Sequence, residues 1–258
     1  MHWGKKQRNR LFVLGLCLSI GSFQLIEKAR ASNFNVNPIK ILLSSKVFSQ
    51  IVTVKNGDNE PLRFQVSSYS WSQDAKGEMQ LSETQDIVAF PTLFALKPGD
   101  QRVMRVGTLT PVGSIEKTYR IFLEELPSPK KPNQTQSQIR LVTKLGIPIF
   151  IQPNQPVVDG RVEKMVVSKG ELSFQVKNTG NVHFIAQQVR VQGIGEAEKP
   201  VFDLSRNGWY VLAGASQPYD VKIPQNSCSQ TKVLVIEVKT EEKTLKERLE
   251  MPKGACSN

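Results

Sequence analysis

Past residue 31 the sequence holds one histidine, His183, and two cysteines, Cys228 and Cys256, a poor stock from which to build a catalytic centre. Zinc ligation needs three or four His, Cys or carboxylate ligands at workable spacing. His183 stands between Val182 and Phe184 in a run that reads as a strand, where a histidine lining the strand is the plain reading. The sequence has no Gly-rich phosphate loop and no nucleophile elbow. Glu124 and Glu125 adjoin, but neighbours in a strand face opposite ways, so they read as one solvated and one structural residue, not an acid/base pair. No catalysis, small-molecule substrate, metal or cofactor is expected.

The cysteines suit a structural role. KVLVIEVKT, a polar EEK turn and TLKERLEM read as a hairpin pivoting on Glu242, and Cys228 and Cys256 each lie fourteen positions from that pivot. This register predicts a disulfide across the open end of the hairpin; two free thiols are the alternative. An oxidising compartment fits the start of the chain. MHWGKKQRNR is basic, LFVLGLCLSI is apolar, and Ala29-Arg30-Ala31 is a small-x-small cleavage site, so residues 1–31 read as an export signal. The competing reading is a retained membrane anchor, but a span needs about 20 apolar residues, and Ser19, Ser22 and Gln24 interrupt this one.

Of the formal charge of +11, the first 31 residues carry six Lys or Arg against one Glu, leaving about +6 for the remainder. That remainder has no RNA-type aromatic motif and no helix-turn-helix, so nucleic acid is not an expected partner. A basic cleft for an acidic group stays open.

What must position these residues is almost entirely strand. After residue 32, short runs rich in Val, Ile, Phe and Thr recur between turn signals such as NGDNEP, KPGD, NTGN and SKGE. They number about seven before Pro153 and about seven after it, which predicts two immunoglobulin-like β-sandwiches in tandem, all-β, with QPNQPVVDG as the hinge. The expected boundaries are 32–153 and 154–258. In LRFQVSSYSW the apolar parity switches across Ser67-Ser68, which reads as a bulge or a strand changing sheets.

One stretch is odd for a soluble protein. In QIRLVTKLGIPIFIQP, every second residue from Ile139 to Ile151 is apolar except Thr143, and the preceding SPKKPNQTQSQ is polar and Pro-rich. Pro148 has no N–H to give, so this strand is not expected to be paired on both sides. A greasy edge strand is a liability that proteins normally blunt.

Three stretches together resemble the PapD-like family of periplasmic pilus-assembly chaperones. They are NPIKILLSSKVFSQIVTVKN, FPTLFALKPGDQRVMRVG, and TYRIFLEELP with the strand that follows it. The resemblance covers residues 36–153, and the second half by architecture only. It implies two sandwiches meeting in a boomerang, with the seventh strand of the first lent to a pilin-like secreted subunit that lacks its own last strand. Ile139, Leu141, Thr143 and Leu145 then form the donated face, against the alternative that they only complete this protein's own core. It also implies a grip on the subunit's C-terminal carboxylate by two basic residues. Lys40 falls on the first. The second falls on Pro148, which cannot serve, leaving Lys144, Arg140 or Arg105 as substitutes. Gln152 replaces the arginine that bridges the two domains in better-known members, while Glu116 keeps the acidic partner position. The GIPIF strand is closer to the archaic branch. An outer-membrane usher, a periplasmic location and self-association through the free edge also follow from the resemblance. The reading in another class is a cell-surface or structural tandem sandwich with no client.

Overall fold

The computed structural model describes residues 32–127 and 141–256. The expected export signal, Ile139 and Arg140 lie outside them. Ten strands make the first sandwich: β1 Phe34–Asn37, β2 Ile41–Leu43, β3 Ser49–Asn56, β4 Leu62–Gln73, β5 Met79–Glu83, β6 Ile87–Phe90, β7 Leu93–Leu96, β8 Gln101–Thr108, β9 Lys117–Glu125 and β10 Lys144–Ile151. One sheet runs β1-β3-β8-β6; the other runs β2-β10-β9-β4-β5, with β7 also on β4. Between them lies a core in which Phe64, Met104, Ile121, Leu123, Ile147 and Ile149 are wholly buried. The chain enters by dividing its first strand between the sheets: β1 pairs β3, then past Pro38 β2 pairs β10 in parallel.

The second sandwich uses β11 Gly160–Ser168, β12 Glu171–Asn178, β13 Phe184–Ile185, β14 Gln188–Ile194, β15 Pro200–Asn207, β16 Tyr210–Val211, β17 Ser216–Lys222, β18 Val233–Lys239 and β19 Thr244–Glu250. Its sheets are β11-β12-β17, the small pair β13-β16, and β15-β14-β18-β19. The two halves share a device. Asn56 and Asn178, both fully buried, end β3 and β12. Each carboxamide oxygen accepts the N–H two residues on. Each amide donates to the carbonyl four residues on and to a neighbouring strand, Leu96 for Asn56 and Val211 for Asn178. A buried amide with all these bonds made holds the turn without a desolvation penalty. Among the described residues no helix is long and apolar enough to cross a membrane.

Three sequence expectations are corrected. The parity switch in β4 is neither a bulge nor a change of sheet, because β4 keeps one register against β9 from Phe64 to Ser70. Its even residues Leu62, Phe64 and Val66 enter the sandwich core, while Trp71 is buried on the outer face under the second sandwich. VHFIAQQVRV is two strands, β13 and β14, separated where the Ala186 N–H donates to the Trp209 carbonyl and the Gln187 N–H to the Lys239 carbonyl. His183 therefore precedes β13 instead of lying within a strand. The last hairpin pairs Val233 with Glu250 and Lys239 with Thr244, so its pivot is between Glu241 and Glu242, half a residue from the expected one. The Thr240 hydroxyl sets this four-residue loop by accepting the N–H groups of Glu242 and Lys243. Cys228 and Cys256 are nonetheless bonded, lying beyond the ladder, one in a short helical turn and one in the tail.

The sandwiches meet across an apolar cluster of Trp71, Phe150 and Leu212, with Leu42 and Tyr210 packed on it. Around it, the Gln73 carboxamide imitates a strand partner: its nitrogen donates to the Tyr210 carbonyl (2.9 Å) and its oxygen accepts from the Leu212 N–H (2.8 Å). Glu116 Oε2 accepts the His183 backbone N–H at 2.9 Å and lies 2.7 Å from Nδ1 of the same residue. The imidazole in turn stacks on Phe150 at 3.6 Å. Glu116 thus finds its partner in His183, and the second sandwich grips the end of β10 directly.

Two outcomes follow. Removing the disulfide with Cys256→Ser releases a 28-residue separation, and loop-closure entropy puts the loss at about 3–4 kcal/mol; an unchanged denaturation midpoint for the second sandwich contradicts this. Glu116→Ala strands two buried donors at a cost of about 1–3 kcal/mol, so the His183 amide should exchange faster, and unaltered exchange contradicts the bridge.

Candidate functional site

β10 is paired unequally. It faces β9 along its whole length, Lys144 to Ile151, but β2 only from Ile149 to Ile151. From Lys144 to Pro148 one flank has no strand beside it among the described residues. Pro148, at the point where β2 stops, lacks the N–H that a further ladder bond would need. Burial declines along the strand towards its free end. Ile147, Ile149 and Ile151 are buried, Leu145 is partly buried against the core, and Leu141 is 48 % exposed. Thr143 is tied to β9: the Glu125 N–H donates to its carbonyl at 2.9 Å and the Glu125 carboxylate accepts its N–H at 3.2 Å. The same carboxylate, 1 % exposed, accepts the Ser32 hydroxyl at 2.7 Å. Glu124, on the opposite face, pairs with Lys144 in solvent at 3.0 Å. The two adjacent glutamates divide as strand alternation requires.

Alternation also fixes what the outer face of this sheet presents. With Tyr119, Ile121 and Leu123 in the core, Arg120 and Phe122 take the outer face, where Arg120 stands beside Trp209 of the second sandwich. One rung of the sheet carries Tyr69, Arg120 and Pro148 side by side. In the parallel register that pairs Ile149 with Ile41, Lys40 is level with Pro148 on its other side. Ile41 and Leu43 are fully buried in the core, so Leu42 takes the outer face, where it joins the Trp71 cluster, and Lys40 stands in the bend just before the strand. Lys40 and Arg120 thus flank Pro148.

Arg120 is unusual. It is 8 % exposed, its Nε has no hydrogen-bond partner, and among the described residues no carboxylate lies within ion-pair distance. Its guanidinium lies 4.2 Å from the ring centre of Trp71 and 5.9 Å from that of Trp209. Desolvation draws its pKa below the usual arginine value, opposed by the nearby Tyr210. A buried guanidinium attracts an anion strongly, since every donor not bonded to protein is a cost that a carboxylate can recover. Gly146 leaves the room: a Cβ there would stand 2.9 Å from the Phe122 ring and 3.4 Å from Arg120.

Of the expected cations among the described residues, Lys40 alone is level with Pro148. Lys144 is four rungs away and engaged by Glu124 and the face of Phe122. Arg105 is in β8, in the opposite sheet, donating to Ser49 at 3.1 Å. Sequence reasoning passed over Arg120. The alternation in TYRIFL puts it on the face of Trp71, but its position beside Pro148 depends on the β9–β10 register, and the segment joining those strands is too long to set a register by turn geometry.

Residues 33–156 match the family model for pili and flagellar-assembly chaperones, PapD N-terminal domain. No curated protein matches the chain in sequence. Several solved structures share the fold of both sandwiches. A chain in the CsuC-CsuE chaperone-tip adhesion subunit pre-assembly complex from the archaic Csu pili of Acinetobacter baumannii has 16% identity and a TM-score of 0.57, over 84% of this chain and 98% of that one. A chain in the Salmonella enterica SafA pilin complex with the SafB chaperone has 16% identity and a TM-score of 0.54, over 86% and 99%. The class 5 fimbriae chaperone CfaA has 15% identity and a TM-score of 0.54, over 85% and 100%. The first sandwich thus belongs to the PapD N-terminal domain family of pili and flagellar-assembly chaperones, and both sandwiches share the fold of solved pilus chaperones.

Proposed function

We propose that this protein, exported and freed of residues 1–31, binds a pilin-like subunit in the periplasm by strand donation and delivers it to an outer-membrane usher. Its two working units are residues 32–153 and 154–258. The observation that carries the reading is the flank of β10 from Lys144 to Pro148, which has no strand beside it among the described residues and leads to the exposed Leu141. An edge of this kind offers backbone N–H and C=O groups to a second chain, while alternate side chains fill the groove of a sandwich that lacks a strand. Ile139, Leu141, Thr143 and Leu145 are the donated side chains. Ile147, Ile149 and Ile151 stay in this protein's own core, so β10 serves two sandwiches along one strand.

The subunit's C-terminal carboxylate seats between Lys40 and Arg120. Arg120 supplies a planar fork suited to two parallel bonds, and Lys40 a mobile point charge beside it. No nucleotide or metal is needed, because a subunit completed by a foreign strand retains folding energy that its own kind of strand releases on exchange. The chemistry is non-covalent throughout, and the chain is not an enzyme.

Leu141→Glu is expected to leave the far-ultraviolet circular dichroism and melting of the free protein unchanged while abolishing co-purification of a subunit; equal recovery would sink strand donation. Arg120→Gln with Lys40→Ala should weaken capture of a subunit with a free C-terminus by tenfold or more, on the order of the worth of a charge-assisted pair. The same variant should bind a C-terminally amidated subunit no worse than the parent does, and equal losses for both would remove the anchor.

A further inference from the structure

Two indole rings stand beside the Arg120 guanidinium, and they differ in one respect. Trp71 is 3 % exposed and sealed between the sandwiches, whereas Trp209 is 50 % exposed. A half-exposed tryptophan next to a buried cation without a carboxylate partner among the described residues is a large apolar surface at an anion site.

Trp209 is also held still. It precedes β16, and its carbonyl accepts the Ala186 N–H at 3.0 Å. The residue before it, Gly208, passes so near that a Cβ would stand 2.2 Å from the Ala186 carbonyl oxygen. The ring meets Tyr210 edge to face at 5.5 Å, and Tyr210 is anchored in turn against Trp71 at 5.3 Å and Phe150 at 5.8 Å. The indole is therefore a fixed platform, presented by the second sandwich beside a cation from the first.

Resting on the carboxylate reading given above, we infer that Trp209 selects the client's last residue, its indole face receiving an apolar or aromatic terminal side chain while Arg120 takes the carboxylate. The geometry links the two. The terminal carboxylate and terminal side chain share one Cα, so a carboxylate on Arg120 puts that side chain within a few ångströms of the guanidinium. The Trp209 ring centre is 5.9 Å from the guanidinium carbon and, unlike Trp71, the residue is half open to solvent. Recognition is then joint: charge from one sandwich, shape from the other, with the spacing between them set by the Gln73 and Glu116 bridges.

The test is calorimetric titration of the purified chain with short synthetic peptides of alternating apolar pattern, ending in Phe with a free carboxylate, in Phe amide, or in Gly with a free carboxylate. For the parent protein the Phe acid should bind about tenfold tighter than the Gly acid, the scale of one well-packed aromatic contact, and also tighter than the Phe amide. Trp209→Ala should reduce the Phe-over-Gly preference to about twofold while keeping the acid-over-amide preference, and Trp209→Phe should restore most of the loss. Arg120→Gln should do the reverse. If Trp209→Ala keeps the full Phe-over-Gly preference while acid is still preferred to amide, the role of Trp209 is wrong and the anchor stands. If the parent protein does not distinguish acid from amide, the carboxylate reading fails and takes this inference with it.

Discussion

The arrangement depends on where β2 stops. A parallel neighbour covers β10 only from Ile149 to Ile151, and the proline at 148 cannot extend a ladder. From Lys144 to Pro148 the strand has β9 on one side and, among the described residues, no strand on the other. The strand is not loose for that reason: Ile147, Ile149 and Ile151 are buried deep in the core, and the Glu125 carboxylate and backbone hold Thr143 in line. An edge both anchored and open is preorganised, so a partner that adds to it need not first order it.

The other face of the same strand explains the second sandwich. Strand alternation sends Phe150 outwards, where it stacks on His183, and sends Arg120 and Trp71 to the same side on β9 and β4. A lone sandwich would leave this aromatic surface in water. Covered by Tyr210, Leu212 and His183, it becomes the joint between the domains, at whose margin Arg120 stands beside Trp209. The joint also reaches β10: Glu116 fixes His183, which stacks on Phe150 at the end of that strand.

Much of this was legible in the residues. Alternation in LRFQVSSYSW and in the stretch ending at Ile151 marked strands, and NGDNEP and NTGN marked turns where the buried asparagines stand. The failures have physical causes. IVAF and LFAL, which are β6 and β7, are four residues each, too short to show a period, and in MQLSE, which is β5, every residue is exposed. The parity switch in β4 was real but misassigned, because one strand can bury opposite faces against two different bodies. The hairpin pivot was off by half a residue since the Thr240 side chain closes a four-residue loop where an odd-numbered turn was assumed. Arg120 needed the register of two strands joined across residues 126–143, and His183 needed a contact between domains; neither is local information.

The most direct measurement is residue-resolved hydrogen exchange of the Leu145, Gly146 and Ile147 amides in the free monomer and after addition of a subunit. With an open flank, amides aimed at β9 are protected in the free protein, those aimed away exchange at rates near solvent-exposed backbone, and only the latter slow when a subunit binds. Protection of both sets in the free monomer, unchanged by a subunit, would contradict strand donation.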